Sequence, residues 1–435
     1  MQQGYTLITC LGTGTYDEQE KGRYKKTVYV FEDGKEYSCS VFCEALVEHY
    51  ARDLKKIIII GTVKSAWNAL IADLDDNDAS AELWLNIKYE LESQGISDDN
   101  LLQLEEYLKN LYKGIDFKLL VHSVSFQKDT IASILSVYSQ IYPNIEKNTK
   151  LVLDITHGFR YMPMLMYQTL QYHGNEFGID NVKMLYGELG SDKKSFVRNV
   201  SDVWKIAEIN KQVYAFKTSF DGLALGRTLK QYKEDIVSGW ILGFSDLVQK
   251  NYVMQIKQAI SELRNILKKK ASVGSFDLDA FNFIDDIYNY LDDFANRFST
   301  CDCLSDYLFQ FAIVLNEKEL TTQSIIALRE SLWTKLLEKY SPEEIGTYVK
   351  DMYVRDFYKA FVDDCKDKGI YKDINDLIDE RNQIAHAGIR GSSKKANPNQ
   401  KTSEGSVFLA RKIQYRKPDF DKYLKAVSYA FEKIL

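Results

Sequence analysis

The amino-terminal fold is decided by the stretch Lys150-Leu151-Val152-Leu153-Asp154-Ile155-Thr156-His157-Gly158-Phe159-Arg160. Its first part, Lys150 to Ile155, is a short apolar run typical of a buried strand. A turn that contains glycine follows, and then a helical pattern from Tyr161 to Tyr172. A strand, a turn and a helix in this order are the repeating unit of a parallel sheet covered by helices. The stretch therefore predicts an α/β fold.

The same alternation extends over about the first two hundred residues. The other strand candidates are Tyr5 to Cys10, Lys56 to Gly61, Phe117 to Ser125 and Val182 to Tyr186. Between the first two of these, Thr27 to Phe31 and Glu36 to Ser38 flank the turn signal Glu32-Asp33-Gly34-Lys35. This pattern predicts a β-hairpin at the edge of the sheet.

The pattern changes after about Trp204. Long helical patterns follow at Val253 to Lys270, Leu278 to Phe298, Ser324 to Lys339 and Ile374 to Ala385. Five prolines in the whole chain agree with long uninterrupted helices. We therefore predict an α/β domain at 1–204, a connector at 205–225 and an all-α domain at 226–435.

The composition suits a globular protein, with 435 residues, 45% of them hydrophobic, and a formal net charge of −6. We expect a cytoplasmic protein, because the sequence has neither a signal peptide nor an apolar run long enough to cross a bilayer. Six scattered cysteines lack the spacing of zinc ligands, so neither structural zinc nor a disulfide framework is predicted. No metal or cofactor is expected.

An acidic balance argues against general coating of nucleic acid, so a polyanion must meet a local basic patch or a shaped pocket. The segment from Arg390 to Lys417 carries eight basic side chains and one acid, Glu404, and is either such a patch or a solvated loop. The acidic stretch at 73–78 is read as a solvated loop, since it lacks the glycine and the closing glutamate of a calcium loop.

Two turns with glycine follow strands at the edge where open α/β sheets bind ligands. The first is Gly12-Thr13-Gly14-Thr15, which fails as a dinucleotide fingerprint because Asp17 stands where a third glycine is needed. Its backbone amides and threonine hydroxyls could bind an anion. The alternative is that this segment is a tight turn that binds no ligand.

The second turn holds Thr156, His157, Gly158 and Arg160, where a helix amino end and a guanidinium both favour phosphate. The alternative is that Asp154 and Thr156 cap the helix and His157 is structural.

A third turn holds Thr62, Lys64 and Ser65 and lacks the glycine of a Walker A loop. It could add a cation and hydroxyls to a shared pocket, or Lys64 could simply cover exposed surface. Three such turns on one sheet edge favour a pocket for several phosphates.

In the helical half, Arg381 and His386 place a fixed cation and a titratable imidazole near a helix end, which suits cleavage of RNA without a metal. Arg381 falls on an apolar stripe, and the alternative is a core ion pair with Glu330 or Asp379. Five steps of about 100° put His386 roughly 140° around the helix from Arg381. Two subunits could bring both residues into one cleft, with Asn382 available to orient the phosphate.

These residues carry a family resemblance. Asp154-Ile155-Thr156-His157-Gly158 resembles the DxTHG motif of type III CRISPR-associated accessory proteins, and Arg381 to His386 resembles the RxxxxH motif of HEPN ribonucleases. The resemblance covers essentially the whole chain, as a Rossmann-like CARF domain followed by a helical HEPN domain.

The resemblance implies a homodimer, or a higher homo-oligomer, that binds a cyclic oligoadenylate, with cyclic tetra-adenylate the expected ring. Thr13, Thr15, Thr156, His157, Gly158 and Arg160 would surround this activator. Binding would activate a metal-independent endoribonuclease, specific for single-stranded RNA, that serves type III CRISPR antiviral defence. His386 would act as general base or acid and Arg381 would stabilise the phosphorane, giving 2′,3′-cyclic phosphate products.

Two alternatives stay open. The helical half could be a non-catalytic interaction module attached to a cyclic-nucleotide-binding regulatory domain. The first domain could also cleave its own ligand slowly, with Thr15, Thr156 or His157 aligning a ribose hydroxyl. A metal-dependent DNase is disfavoured, because the second half shows no convincing acidic cluster with a nearby lysine on a strand.

Overall fold

The computed structural model describes residues 4–14, 24–71, 78–123, 131–145, 149–173, 181–190, 194–271, 283–345, 352–385 and 418–435. The chain divides into two compact units, Met1–Glu208 and Ile209–Leu435. The described part of the first unit is α/β and that of the second is helical. The predicted fold class, Rossmann-like α/β followed by all-α, is confirmed.

One eight-stranded sheet forms the described framework of the first unit. Its strands are β1 (Tyr5–Leu11), β2 (Thr27–Val30), β3 (Glu36–Cys39), β4 (Leu54–Thr62), β5 (Asp116–His122), β6 (Lys150–Asp154), β7 (Val182–Leu189) and β8 (Lys194–Asn199). Their order is β3-β2-β8-β7-β6-β1-β4-β5. The pairs from β7 through β6, β1 and β4 to β5 are parallel, whereas β8 is antiparallel to β7. The predicted hairpin is confirmed as β2 and β3 at one edge, and β8 was not predicted.

The helices of this unit follow the strands. They are α1 (Phe42–Tyr50), α2 (Asp78–Glu92), α3 (Asp98–Leu111), α4 (Ile131–Ser139) and α5 (Tyr161–Tyr172), with short 3-10 turns at Trp67–Ile71 and Tyr142–Asn144. Of the acidic stretch at 73–78, only Asp78 lies within the described residues, as the first residue of α2.

The isoleucine run in β4 shows why this sheet is buried on both faces. Ile57 and Ile59 belong to one apolar core and Ile58 and Ile60 to the other, because successive side chains of a strand point to opposite faces. A parallel strand covered by helices on both sides therefore reads as a continuous apolar run instead of an alternating one. The prediction of a buried strand is confirmed.

The connectivity creates a switch point at β1. This strand pairs with β4 on one side and β6 on the other, so the chain leaves β1 in one direction and later returns on its other flank. At such a point the loops after the two neighbouring strands diverge and leave a crevice at their carboxyl ends. The turns after β1 and β6 border this crevice.

The second unit contains α-helices and short 3-10 turns in its described part. The helices are α6 (Asp202–Ser219), α7 (Leu223–Gln231), α8 (Asp235–Gln249), α9 (Ile256–Ala271), α10 (Phe283–Asn296), α11 (Leu304–Glu317), α12 (Thr321–Tyr340), α13 (Asp356–Asp367), α14 (Tyr371–Ala385) and α15 (Phe420–Lys433). Helix α6 begins in the first unit, so most of the predicted connector at 205–225 is helical. The domain limits 1–204 and 226–435 remain a proposal.

Helix α14 packs through the stripe that the sequence predicts. Ile374, Leu377 and Ile378 are buried, and Arg381 follows on the same face in a partly buried position. No helix in the described ranges is both long and apolar enough to cross a membrane.

His122, at the end of β5, should make the stability of the first unit depend on pH. Its ring is buried, its Nδ1 lies 2.8 Å from the Ser123 carbonyl oxygen, and burial lowers its pKa. Since the unfolded chain binds a proton at about pH 6.5, stability is lost as the pH falls through that value toward the lowered pKa of the folded state. Wild-type protein should therefore melt at a lower temperature at about pH 5.5 than at about pH 7.5.

His122→Phe should reduce this difference, and a melting series over pH would measure it. His49, whose pKa burial also lowers, should keep part of it. An unchanged pH profile in the variant would contradict the assignment to His122.

Candidate functional site

A pocket of about 380 Å³ opens where β1 and β6 end. It is lined by Leu11, Gly12, Thr13, Gly14, Lys25, Thr27, Tyr29, Ser40, Ser65, His157, Gly158 and Phe159. These residues come from the end of β1 and the turns after β1, β4 and β6, from β2 and the segment before it, and, in the case of Ser40, from the residue after β3. The pocket therefore occupies the crevice expected at the switch point.

Three glycines lie at the base of this pocket. A Cβ atom on Gly12 would stand 3.4 Å from the Gly158 nitrogen, so the two turns approach through bare backbone. Gly158 has φ +94° and Gly14 has φ +67°, in the left-handed region that disfavours other residues. A Cβ on Gly14 would also overlap the Tyr24 ring, at 2.5 Å. The base of the pocket is thus formed by main chain.

Asp154 stabilises the second turn through hydrogen bonds that its buried side chain accepts. Its carboxylate is fully buried and accepts hydrogen bonds from Thr9 Oγ1 at 2.6 Å and from the Thr156 backbone nitrogen at 2.8 Å. Burial raises its pKa, and the His157 ring and these hydrogen bonds act in the opposite direction. Thr156 Oγ1 in turn accepts a hydrogen bond from the Gly187 nitrogen at 2.8 Å. The turn is therefore tied to both β1 and β7.

His157 forms part of the pocket wall with Tyr29. The Tyr29 hydroxyl lies 3.2 Å from His157 Nε2, and the Phe42 ring meets the imidazole edge to face. Burial raises the pKa of Tyr29 far above its ordinary value, so the phenol stays protonated and can donate to the imidazole. This contact links the second turn to the hairpin strand β2.

The third turn contributes one hydroxyl to the pocket. Ser65 Oγ lines it while donating to the Leu11 carbonyl oxygen at 2.7 Å and accepting from the Thr62 nitrogen at 2.8 Å. Thr62 itself is fully buried. Lys64 Nζ donates to the Leu91 and Ser93 carbonyl oxygens at 2.7 and 2.8 Å, so its charge lies at the end of α2.

The structure thus brings together about half of the predicted ligand residues. Those that line the pocket are Gly12, Thr13, Gly14, Ser65, His157 and Gly158. Those that do not line it are Thr62, Lys64, Thr156 and Arg160. Thr15 lies outside the described residues. The residues that the sequence reasoning missed are Leu11, Lys25, Thr27, Tyr29, Ser40 and Phe159.

The missed residues reach the pocket through a long-range contact. The Tyr24 hydroxyl donates to Asn68 Oδ1 at 2.8 Å in a buried position, which holds the segment before β2 against the 3-10 turn after β4. Lys25 and Thr27 follow directly and lie on the pocket wall. Lys25 adds a cation to the pocket wall. The only sequence feature near it that was predicted is the hairpin that begins at Thr27.

In the helical unit, Arg381 forms the ion pair that the sequence offered as an alternative. Its Nη2 lies 3.3 Å from Glu330 Oε1, and its side chain is 29% exposed. The same Glu330 oxygen accepts a hydrogen bond from Arg329 Nη1 at 2.8 Å. Asn382 follows in a partly buried position, whereas His386 and the basic segment from Arg390 to Lys417 lie outside the described residues. The grouping of Arg381, Asn382 and His386 as a catalytic site remains a proposal.

Within the ranges that the structure describes, no three His, Cys, Asp or Glu side chains are grouped so that they could hold a metal ion.

Comparisons with known proteins agree with the resemblance seen in the motifs. Residues 6–183 match the family model described as the CARF domain of the CRISPR system endoribonuclease Csx1. The chain is 25% identical over 462 aligned positions to the CRISPR-associated protein MJ1674 of Methanocaldococcus jannaschii, covering 96% of this chain and 67% of that protein.

Among solved structures, Enterococcus italicus Csm6 bound to cyclic hexa-2′-fluoro-hexa-dAMP aligns over 98% of this chain and 93% of its own. The identity is 10% and the TM-score is 0.31.

Proposed function

From the premise that this chain is a CRISPR-associated protein with a CARF domain, we propose that it is an endoribonuclease activated by cyclic oligoadenylate. In this proposal the enzyme works without a metal, cleaves single-stranded RNA and serves type III CRISPR antiviral defence in the cytoplasm. The observation that carries the proposal is the pocket with a main-chain base that lies beside the DxTHG-like turn, within the segment that matches the CARF model.

The pocket has the chemistry that a phosphodiester ring requires. Its base offers bare backbone at Gly12 and Gly158, where no side chain keeps a phosphate away. Lys25 supplies a charge, and His157 and Ser65 supply polar groups on the wall. Cyclic tetra-adenylate is the activator we favour, with a second subunit giving the same turns to the other half of the ring.

The cleavage step is assigned to the helical unit. The RNA's own 2′-hydroxyl would attack the neighbouring phosphorus while His386 takes its proton, and the 5′-oxygen would leave with a proton returned to it. Arg381 would stabilise the charge of the phosphorane, and Asn382 would orient the phosphate. The products would be a 2′,3′-cyclic phosphate and a 5′-hydroxyl. Because the nucleophile is the RNA's own hydroxyl and His386 takes its proton, no metal is needed to generate it.

Regulation would follow from a composite site. If Arg381 and His386 of two subunits share one cleft, a small change in how the helical units meet would switch cleavage on or off. A homodimer is therefore the smallest active assembly that we propose.

The test is a ribonuclease time course with a fluorogenic RNA and a panel of cyclic oligoadenylates, in the presence of EDTA. Cleavage should rise strongly with one ring size, and its products should carry 2′,3′-cyclic phosphates. Equal rates with and without ligand would contradict activation by the ligand. Loss of cleavage in EDTA would contradict a metal-independent reaction.

A second candidate function is a ligand-binding regulator whose helical unit does not cleave RNA. The Arg381–Glu330 ion pair favours it, because an arginine engaged by a carboxylate can be purely structural. Binding of cyclic tetra-adenylate without any RNA cleavage would support this candidate. Slow cleavage of the ligand by the first unit is a separate activity, and incubation of the full chain with the cyclic ligand would detect it.

A further inference from the structure

Two arginines share a single carboxylate oxygen beside the proposed cleavage site. Glu330 Oε1 lies 2.8 Å from Arg329 Nη1 and 3.3 Å from Arg381 Nη2. All three side chains are partly buried, with exposed fractions of 13% for Arg329, 19% for Glu330 and 29% for Arg381. Two guanidinium cations against one carboxylate leave one positive charge in this group, so it can still attract an anion.

An aromatic cluster continues from the first of these arginines. The Arg329 guanidinium lies over the Trp333 ring, 3.9 Å from its centroid, one helical turn further along α12. The Tyr353 ring meets Trp333 edge to face at 5.3 Å, and Tyr358 lies against both rings, at 5.7 Å from Trp333 and 5.4 Å from Tyr353. These contacts hold the Tyr353 ring from two sides, so its position is fixed.

Tyr353 presents this cluster to solvent. Its side chain is 50% exposed in the 3-10 turn Met352–Val354, whereas Trp333 beneath it is buried. An aromatic ring that is held by its neighbours and is half exposed at the surface offers an area on which another flat ring can stack.

We propose that Tyr353, Trp333, Arg329 and Arg381 form a strip that binds single-stranded RNA next to the scissile phosphate. Tyr353 stacks on an unpaired base, Arg329 attracts the backbone phosphate of that nucleotide, and Trp333 supports both. This inference rests on the proposed ribonuclease function and deepens it by naming how the substrate is held.

Single-stranded RNA fits this strip better than a duplex does. Bases in a duplex are stacked on one another and cannot lie on an exposed tyrosine, whereas unpaired bases can. Stacking on an aromatic ring tolerates every base, so the strip selects for strandedness more than for sequence. A cation beside the stacking ring is the arrangement by which single strands are held along their backbone.

The first experiment measures binding of a labelled, 2′-O-methylated RNA of about ten nucleotides, which cannot be cleaved, to the full-length protein by fluorescence anisotropy. Tyr353→Ala should weaken binding about tenfold, and Tyr353→Phe, which keeps the ring, should restore most of it. Tyr252→Ala is the matched control, because that tyrosine is 53% exposed in the same unit and lies outside the strip. Melting curves identify any variant that fails to fold.

The second experiment follows the same binding over a range of salt concentrations. Arg329→Gln should lower the slope of log K against log salt by about 0.7, the value for one phosphate contact on a single strand. Arg329→Lys keeps the charge and should keep the slope, even though it loses the contact with Trp333. A purely structural role for Arg329 would alter melting temperature and leave the slope unchanged.

The outcomes distinguish the proposed RNA-binding strip from the proposed ribonuclease activity. RNA cleavage by the wild type with unaltered binding and KM in Tyr353→Ala and Arg329→Gln would overturn the strip and leave the ribonuclease. RNA binding that depends on Tyr353 and Arg329, without cleavage, would support the strip and overturn the ribonuclease. Absence of any RNA binding by the wild type, with and without cyclic tetra-adenylate, would overturn the strip as well.

Discussion

His386→Ala is expected to lower the ligand-activated rate of RNA cleavage by about 10²- to 10⁴-fold, the range for loss of a general acid or base. The imidazole is the one proton-transferring group in the RxxxxH-like motif, and arginine cannot replace it because its guanidinium keeps its proton at all working pH values. Initial rates with saturating cyclic tetra-adenylate would measure the effect.

The variant should retain the melting temperature and ligand affinity of the wild type. Arg381→Lys should also lose most of the rate, because lysine keeps a charge but not the planar fork that binds two phosphate oxygens. Arg297→Lys is the control, since Arg297, directly after α10, also pairs with a glutamate of the same unit, Glu317 in α11. A wild-type rate in His386→Ala would place the chemistry on other residues.

Asp154→Ala should destabilise the protein and abolish binding of cyclic tetra-adenylate. Removing the carboxylate leaves the Thr9 hydroxyl and the Thr156 amide without their buried acceptor, and each lost partner costs about 1–3 kcal/mol. We expect the free energy of unfolding to fall by about 3 kcal/mol, because the site can relax in part. Urea unfolding and isothermal titration calorimetry would measure the two effects.

Asp154→Asn, which nearly keeps the shape, is the matched control and should cost less. Burial raises the pKa of Asp154, so the folded state holds its proton to a higher pH than the unfolded chain does. The part of the stability that is linked to this proton is therefore complete below the ordinary pKa of about 3.9 and is lost as the pH rises through the raised value, whereas the hydrogen bonds from Thr9 and Thr156 are a separate contribution. The asparagine variant should lack this dependence. Unchanged stability and affinity in Asp154→Ala would show that the turn is held by other contacts.

Much of the first unit follows from patterns within short stretches. The isoleucine run of β4 predicts a buried parallel strand, and the glycine turns after β1 and β6 predict a site at the sheet edge. These turns meet because β1 and β6 are neighbours, and the carboxyl ends of neighbouring parallel strands lie together. The location of the pocket was therefore predictable to this extent.

Side-chain directions were harder to predict. Lys64 follows a strand like the other site residues, but two carbonyl oxygens at the end of α2 attract its ammonium group. Thr62 is the last residue of β4, and because both faces of this strand are buried, its side chain lies in the interior. The partners of the Lys64 ammonium group lie 27 and 29 residues further along the chain, so local sequence patterns do not reveal them.

Long-range pairs set the other limit. Lys25 and Tyr29 belong to a segment that is held near the pocket in part by the contact of Tyr24 with Asn68, 44 residues further along the chain. In the helical unit, the sequence named Glu330 as one possible partner for Arg381, and the structure places the two in contact across 51 residues. The second arginine on Glu330, Arg329, and the packing of Tyr353 against Trp333 had no signal in the sequence.

The glycine base of the pocket limits where ligand preference can be altered. A Cβ atom on Gly158 would stand 3.1 Å from Met162 Sδ and 3.2 Å from Cys10 Cβ, and its φ of +94° disfavours other residues, so a larger residue there would strain the turn. If the proposed ligand binds in this pocket, its preference for ring size or base would be easier to alter through side chains that line the pocket, such as Lys25, Thr27, Tyr29 and Ser40. A search for variants tuned to a new messenger should randomise those four positions and leave the glycines as they are.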